Sequence, residues 1–448
     1  MALAAVLIGL AGLLAAYQAF FTRPDTARIA FLATAGAFCF WYWFPALNLL
    51  TLRFYGPDER VPTESSVTVA IWLVLAYQMS VIVGLAAVRP LFAPLQNLAV
   101  IDGDDRAARW LGFLVLGSAI AFLVARFARD GIGVLVDLAV GLASARDNAT
   151  YFNRSEDAGT SLLALWDIVN IWIALFVIAL MTWRRALLSG PCIAALGAIA
   201  FVFLASGTRA VLMQALFIIG MTIAVRGTAA IRPVSRPGRS WLYLIPLVGV
   251  AGLAFSAFAS RFRESGSSGG LLTIVDTLLV NPDMTRELAF VLDRMPNFPN
   301  HTASPFVITP FAFSLPRFLG FDRQMPEHLV AFNGMRGDID LLFGQGNIFP
   351  GIVADFHMVF GPAGPVLMAL FVAIHAIGLD RVAQFIPDTT QRGGYVVACI
   401  AYMFFSFRNI GGMLFLVIVL GIAVITGLNS AQRWLLPRRS LSPALSMD

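Results

Sequence analysis

The sequence predicts an all-α polytopic integral membrane protein with about eleven transmembrane helices. Two observations support this fold class. Of the 448 residues, 58% are hydrophobic and only 13% are charged, and the mean hydropathy is +0.79. Apolar runs close to the length of about 20 residues that crosses a bilayer also recur along the whole chain. A water-soluble protein of this composition would lack enough polar residues to cover its surface.

The candidate spans are apolar runs separated by short polar loops. No basic residue precedes the first run, so we predict a retained span there and not a cleaved signal peptide. Gly361 and Pro362 lie inside the ninth run, where they are expected to break the helix. The predicted spans are 2–21, 28–50, 66–88, 110–127, 162–183, 191–206, 209–225, 241–260, 352–378, 394–406 and 410–428.

Arginine placement predicts the orientation of these spans. All basic residues of the chain are arginines. If the N-terminus lies outside and the C-terminus inside, the inner loops hold 16 of the 31 basic residues but only seven of the 26 acidic ones. Such an excess of positive charge is typical of cytoplasmic loops. Because the positive charge is divided among loops, it does not indicate binding to nucleic acid.

The predicted organisation has three parts: an N-terminal transmembrane bundle at 1–261, a large outer loop at 262–350, and C-terminal transmembrane helices at 351–448. Within the loop, Asn281 and Pro282 predict the start of a helix that runs to Met295. Apolar pieces punctuated by proline follow at 304–319 and 325–332. We expect these pieces to lie on the outer leaflet or to dip into it.

Two arginines are predicted at the outer ends of helices. Arg209 and Arg408 each begin an apolar span. A guanidinium at bilayer depth is costly without a partner, while the N-terminus of a helix favours an anion. A guanidinium also pairs bidentately with phosphate, so the two sites together predict a pyrophosphate ligand. Either arginine alone is explained equally well by contact with lipid headgroups or by pairing with Asp167 or Asp355.

Asp355 and His357 lie early in the ninth span. A carboxylate in an apolar helix is a functional candidate, and there it could take a proton from a sugar hydroxyl. Residues two apart do not share a helix face, so we do not expect these two to act together. The structural alternatives are a salt bridge for Asp355 and a hydrogen-bonded packing role for His357. Other acids on the outer side remain possible bases: Glu287, Glu327, Asp338 and Asp340.

Several sequence motifs are missing. The sequence has no Walker A motif and no HExxH motif. Its three cysteines lie in separate apolar runs without metal-ligand spacing. These features argue against a cytoplasmic nucleotide-dependent enzyme and against a metal site.

The order of these pieces resembles the bacterial oligosaccharide repeat-unit polymerases, the O-antigen polymerase family of the Wzy type. The matching stretches are Ser206-Gly207-Thr208-Arg209 at the start of a span, Leu315-Pro316-Arg317 in the outer loop, and 351–364 with Asp355. Members of the family commonly carry Lys and Pro soon after the Pro-Arg pair, where this chain has Arg323 and Pro326. They carry an aromatic residue soon after the acid, where this chain has His357.

The resemblance implies a GT-C-like helical fold and a glycosyltransferase in the bacterial inner membrane. Such an enzyme moves a glycan from one undecaprenyl-diphosphate carrier to the non-reducing end of another at the periplasmic face, building O-antigen or exopolysaccharide. By this resemblance, Arg209, Arg317 and Arg408 hold the diphosphate, and Asp355 or His357 activates the acceptor. Secondary candidates are Arg146, Tyr151, Arg261 and Arg323. No metal or other cofactor is implied; the implied partners are the lipid-linked oligosaccharide, membrane lipids and a chain-length regulator protein.

Three other functions fit parts of the pattern. A ligase that moves the glycan to lipid A core shares the carrier and the arginines. A transporter or flippase would suit buried charges and broken helices, although no internal repeat is visible in the sequence. A non-catalytic scaffold leaves Arg209 and Arg408 unexplained.

Replacing Arg209 or Arg408 with alanine is expected to abolish long-chain polysaccharide, because the diphosphate loses a bidentate partner. The protein should still insert and accumulate. Lysine should restore little, since it lacks the planar fork of arginine. Polysaccharide gels read the chain length, and wild-type lengths from the alanine variants would rule out the predicted anion site.

Overall fold

The structure, a computed structural model, describes residues 1–23, 25–51, 62–94, 284–294 and 350–385. It also describes eight single residues: Gly117, Ile120, Val124, Phe332, Met403, Phe404, Ser406 and Phe407. Every secondary-structure element in these ranges is a helix, which confirms the all-α class for this part of the chain. The total of about eleven spans and the GT-C-like arrangement stay predictions, because the other predicted spans lie largely outside the described residues.

Four stretches of the described chain are long and apolar enough to cross a membrane: Ala2–Phe21, Ala27–Leu47, Glu64–Leu91 and Ile352–Gln384. They match the predicted spans at 2–21, 28–50, 66–88 and 352–378. In chain order, the α-helices are α1 (Ala2–Phe21), α2 (Ala27–Phe38), α3 (Phe44–Thr51), α4 (Glu64–Val88), α5 (Met284–Arg294), α6 (Ile352–Phe360) and α7 (Gly364–Phe385). A π-helical turn, Cys39–Trp43, joins α2 to α3.

Helix α4 begins two residues before the predicted span. The reason is a local cap: Thr63 has an extended backbone, and its hydroxyl accepts a hydrogen bond from the Ser66 N–H at 3.4 Å. Such a threonine satisfies an N–H that the first helical turn would otherwise leave without a partner. Polar residues therefore extend the helix beyond its apolar part.

The predicted break in the ninth span is confirmed. Gly361 has φ 54° and ψ −130°, a backbone conformation that suits glycine. Its N–H donates to the His357 carbonyl, which ends α6. Pro362 follows in a short 3₁₀ turn, Gly361–Ala363, before α7 begins. This span is therefore two helices joined by a turn.

Helices α1, α4 and α7 run in the same direction, and α2 runs in the opposite direction. Helices α1 and α4 run parallel, because Gln78 donates to the Gly9 carbonyl at 2.9 Å in mid-helix and Arg89 donates to the Phe20 carbonyl at 2.7 Å at their ends. Helix α7 also runs parallel to α4, and Gly84 packs against Ala369 between them. Helix α2 returns in the opposite direction along α1. These are the relative directions that the predicted alternation requires; the side of the membrane that each end faces stays a prediction.

Charged side chains bind the chain together where α1, α4 and α7 end. Arg89 pairs with Asp25 at 2.7 Å and also donates to the carbonyls of Ala19 and Phe20. Asp380 on α7 accepts a hydrogen bond from the Ala93 N–H at 3.2 Å. We call this set of contacts the latch. It closes the end of the bundle that the arginine pattern places on the inner side of the membrane.

Arg28, a second arginine near the latch, is buried at the start of α2. Its guanidinium donates to the backbone carbonyls of Arg23 and Phe21, each at 2.6 Å, and lies over the Phe21 ring. These carbonyls belong to the end of α1 and the turn after it, where backbone acceptors lack helical partners. Arg28 therefore joins the two helices by binding backbone carbonyls that would otherwise lack hydrogen-bond partners in an apolar layer.

The middle of the bundle contains one buried amide. Gln78 is fully buried, and its oxygen accepts a hydrogen bond from the Trp43 indole while its nitrogen donates to Gly9. The indole ring packs directly on Gly9: a Cβ added there would meet Trp43 Cε2 at 2.8 Å. Glycine at position 9 therefore allows α1, the π turn and α4 to meet.

Gly9→Ala is expected to cost about 1–3 kcal/mol, because the new methyl group overlaps the Trp43 ring. Gly378→Ala is the matched control, since a Cβ at Gly378 meets no described atom within 4 Å. It should be neutral or stabilising, as alanine favours the helix by about 1 kcal/mol over glycine. Thermal unfolding in detergent measures both, and equal unfolding temperatures for the two variants would contradict this packing.

Candidate functional site

Two of the predicted site residues, Asp355 and His357, lie within the described chain, and both are on α6. The others lie outside the described residues: Arg146, Tyr151, Arg209, Arg261, Arg317, Arg323 and Arg408. The geometry around Asp355 is therefore the part of the candidate site that the structure describes.

Asp355 lies in the first turn of α6 and is 3% exposed. The helix begins after Gly351, whose φ of 85° suits glycine. The Asp355 N–H donates to the Gly351 carbonyl at 2.9 Å, so the carboxylate is fixed one turn into the helix. A carboxylate at this position also interacts favourably with the dipole of the helix N-terminus. The chain thus places an acid deep inside the protein while giving it local electrostatic support.

His357 differs from Asp355 in its surroundings. It is only half-buried, and its carbonyl accepts the hydrogen bond from Gly361 that ends α6. The two side chains leave the helix in different directions because they are two residues apart.

Helix α5 brings two more charged residues into the interior. It belongs to the segment predicted as a large outer loop, yet it packs against α3, α4 and α6. Its first eight residues, Met284–Val291, are all buried, and these include Arg286 at 8% exposure and Glu287 at 4%. Arg286 Nη2 lies 3.5 Å from Glu287 Oε1. The first two turns of this short helix are thus enclosed by protein.

Contacts at both ends of α5 fix its position. At its C-terminal end, Asp293 accepts hydrogen bonds from the hydroxyls of Thr63 at 2.8 Å and Ser66 at 3.1 Å, at the start of α4. At its N-terminal end, Met284 lies beside Gly351, where an added Cβ would meet its sulfur at 2.9 Å. Helix α5 therefore runs beside the first half of α4 and reaches the start of α6.

The π turn supplies the polar contacts between these elements. Three successive side chains, Trp41, Tyr42 and Trp43, are all buried. Trp41 donates to the Phe404 carbonyl at 3.0 Å, Tyr42 donates to the Phe407 carbonyl at 3.3 Å, and Trp43 donates to Gln78. Such turns are frequent at functional sites because they change the direction of side chains within a helix.

The residues at this end of the bundle form what we call the carboxylate site: Tyr42, Arg286, Glu287, Asp355 and the carbonyl of Phe407. Apart from the neutral Tyr42, its ionisable side chains are one arginine and two acids. If all are ionised, this described part carries a formal charge of −1, which is costly in an apolar interior without further cations. Phe407 directly precedes Arg408 in the chain, one of the arginines predicted to bind phosphate.

Sequence reasoning named Asp355 and Glu287 but missed Arg286. The pattern of α5 explains the omission. Met284, Leu288 and Val291 form an apolar stripe at helical spacing, so the remaining face is expected to meet water. The packing of α5 among other helices buries that face as well, and the local sequence carries no signal for it.

Among the described residues, no group of three or more His, Cys, Asp or Glu side chains is arranged to hold a metal ion. The polar groups that are present include carboxylates, which can accept a proton, and groups that can form hydrogen bonds to a hydroxyl.

No protein-family model matches this chain, and the comparisons with curated proteins and with solved structures found no significant match. The predicted relation to the oligosaccharide polymerases therefore stays a prediction, and the candidate site stands on its own geometry.

Arg286→Ala is expected to cost about 3–5 kcal/mol, because it leaves the buried Glu287 without its adjacent cation. Arg294→Ala is the matched control: Arg294 ends the same helix, is exposed and lies over the Phe290 ring, so its loss should change stability by no more than about 1 kcal/mol. Thermal unfolding of the purified variants measures the difference. The double variant Arg286→Met with Glu287→Leu should recover part of the loss, and a fully additive double variant would contradict the pairing.

Proposed function

We propose that this chain is a membrane glycosyltransferase that polymerises lipid-diphosphate-linked oligosaccharide repeat units. In the proposed reaction, the bond between the anomeric carbon of the donor glycan and its diphosphate breaks. A bond from that carbon to an acceptor hydroxyl oxygen forms, and the hydroxyl proton passes to a carboxylate. The free energy comes from release of the diphosphate carrier, so no nucleotide takes part.

The observation that carries the proposal is the burial of Asp355 at the carboxylate site. It is 3% exposed in a bundle of helices long and apolar enough to cross a membrane. An ionisable group in such a place is costly and is commonly functional. The Tyr42 hydroxyl lies beside the start of the helix that bears Asp355, since it accepts a hydrogen bond from the Val353 N–H.

The proposed roles follow from position and chemistry. Asp355 is the first choice for the base, and Glu287 and His357 are the alternatives. Arg408 is the first choice for a diphosphate ligand, because its chain neighbour Phe407 accepts hydrogen bonds from Ile352 and from Tyr42. Arg209 and Arg317 are proposed as further diphosphate ligands on the basis of the family resemblance. The secondary candidates Arg146, Tyr151, Arg261 and Arg323 are assigned to the same binding region.

The break between α6 and α7 favours a second candidate function. Transporters use discontinuous helices to form binding sites at the membrane midplane. Here the break at Gly361 separates the helix that bears Asp355 from the rest of the span. A lipid-linked oligosaccharide flippase is therefore the alternative, and a glycan ligase that uses lipid A core is the alternative within the transferase class.

Purified protein in lipid vesicles, supplied with lipid-diphosphate-linked repeat units alone, is expected to form longer lipid-linked chains. Asp355→Asn should lower the rate by about 10²–10⁴-fold, as expected for loss of a general base. The matched control is Asp380→Asn, a change at another buried aspartate on α7, which lies at the latch. It should keep the rate per folded protein.

Each alternative predicts a different result in the same assay. Glycan transfer only after addition of lipid A core would identify a ligase. Movement of labelled carrier across the vesicle without any new glycosidic bond would identify a flippase. A folded protein that gives no product in any of these reactions would contradict all three functions.

A further inference from the structure

We propose that Tyr42 is the positioning residue of the carboxylate site, holding Phe407 against the start of the helix that carries Asp355. This inference rests on the proposed function, because it assigns Tyr42 to the alignment of the diphosphate-binding and proton-accepting groups. Tyr42 was not among the residues that the sequence singled out. Its position in the structure alone points to it.

The Tyr42 hydroxyl joins two chain segments that are far apart in sequence. It donates to the Phe407 carbonyl at 3.3 Å and accepts from the Val353 N–H at 3.3 Å. The neighbouring Ile352 N–H donates to the same Phe407 carbonyl at 3.0 Å. One hydroxyl and two N–H groups therefore close a ring of hydrogen bonds between the start of α6 and the residue before Arg408.

The backbone of Tyr42 holds a third segment. Its carbonyl accepts a hydrogen bond from the Thr285 hydroxyl at 2.9 Å, which ties the start of α5 to the π turn. Thr285 directly precedes Arg286 and Glu287. Tyr42 thus contacts three parts of the site: the start of α5, the start of α6 and Phe407.

Two features of the chain allow the Tyr42 hydroxyl to reach this place. The π turn makes Trp41, Tyr42 and Trp43 all face the interior, so the tyrosine points to α6 while its neighbours bind elsewhere. Gly351 leaves room for it, since a Cβ there would lie 2.9 Å from the hydroxyl oxygen. A side chain at position 351 would displace the hydroxyl from Val353.

Asp355 lies in the same first turn of α6 as Val353, whose N–H donates to the Tyr42 hydroxyl. The hydroxyl is already engaged with the two backbone groups, so its role is to position groups and not to accept the substrate proton. Catalysis of group transfer depends on such alignment, and a misplacement of about 1 Å can cost about 10²-fold in rate.

The chain contains a matched control for the loss of this hydroxyl. Tyr77, on α4, is also 0% exposed, but within the described part of the chain its hydroxyl has no hydrogen-bond partner. Tyr42→Phe and Tyr77→Phe remove the same atom from two equally buried rings. Only the first change breaks hydrogen bonds of the carboxylate site.

The test measures kcat and KM for lipid-diphosphate-linked repeat units with vesicle-embedded wild type, Tyr42→Phe and Tyr77→Phe, each normalised to folded protein. Tyr42→Phe is expected to lower kcat by about 10–100-fold with little change in KM, because alignment is lost and the binding groups remain. Tyr77→Phe is expected to keep kcat within about twofold of wild type, since it breaks no described hydrogen bond. Thr285→Val should lower kcat in the same direction by a smaller factor.

The outcomes separate this inference from the proposed function. If wild type polymerises and Tyr42→Phe keeps its kcat per folded protein, Tyr42 is not a positioning residue and the proposed function stands. If Tyr42→Phe does not fold, Thr285→Val decides: wild-type kcat from that variant overturns the inference. If wild type forms no polymer, the proposed function fails and the inference fails with it.

Discussion

The structure depends on one constraint: a polar group among apolar helices must find its partner within the protein. Water competes poorly in such an interior, so an unsatisfied group costs several kcal/mol. Gln78 illustrates the usual solution, since both ends of its amide bind groups on neighbouring helices. Thr34 solves the same problem locally by donating to the carbonyl of Ala30 one turn earlier in its own helix.

The two ends of the bundle meet this constraint in different ways. At the latch, charges are matched within the fold: Arg89 binds Asp25, and Arg28 binds the carbonyls at the end of α1. At the carboxylate site, the described side chains include two buried acids and one arginine. The latch is therefore a contact between helix ends, whereas the carboxylate site consists of buried charged residues on two helices, α5 and α6.

Sequence patterns predicted structural features correctly where the cause of the feature lies within one segment of the chain. The lengths of the apolar runs predicted the spans that contain α1, α2, α4 and α6–α7, because a helix needs a fixed length to cross the bilayer. Gly361 and Pro362 predicted the break after α6, because their backbone restrictions act at the residue itself. Asn281 and Pro282 likewise predicted a helix in the segment where α5 lies.

The sequence by itself thus determined the class of the fold, the described spans and the presence of an acid at position 355. Only the tertiary structure decided that the polar face of α5 is buried and that Arg286 joins the site. It alone decided that Tyr42 binds both Val353 and Phe407, residues more than three hundred positions further along the chain. Periodicity and turn residues describe what one segment prefers, whereas these contacts depend on which segments pack together.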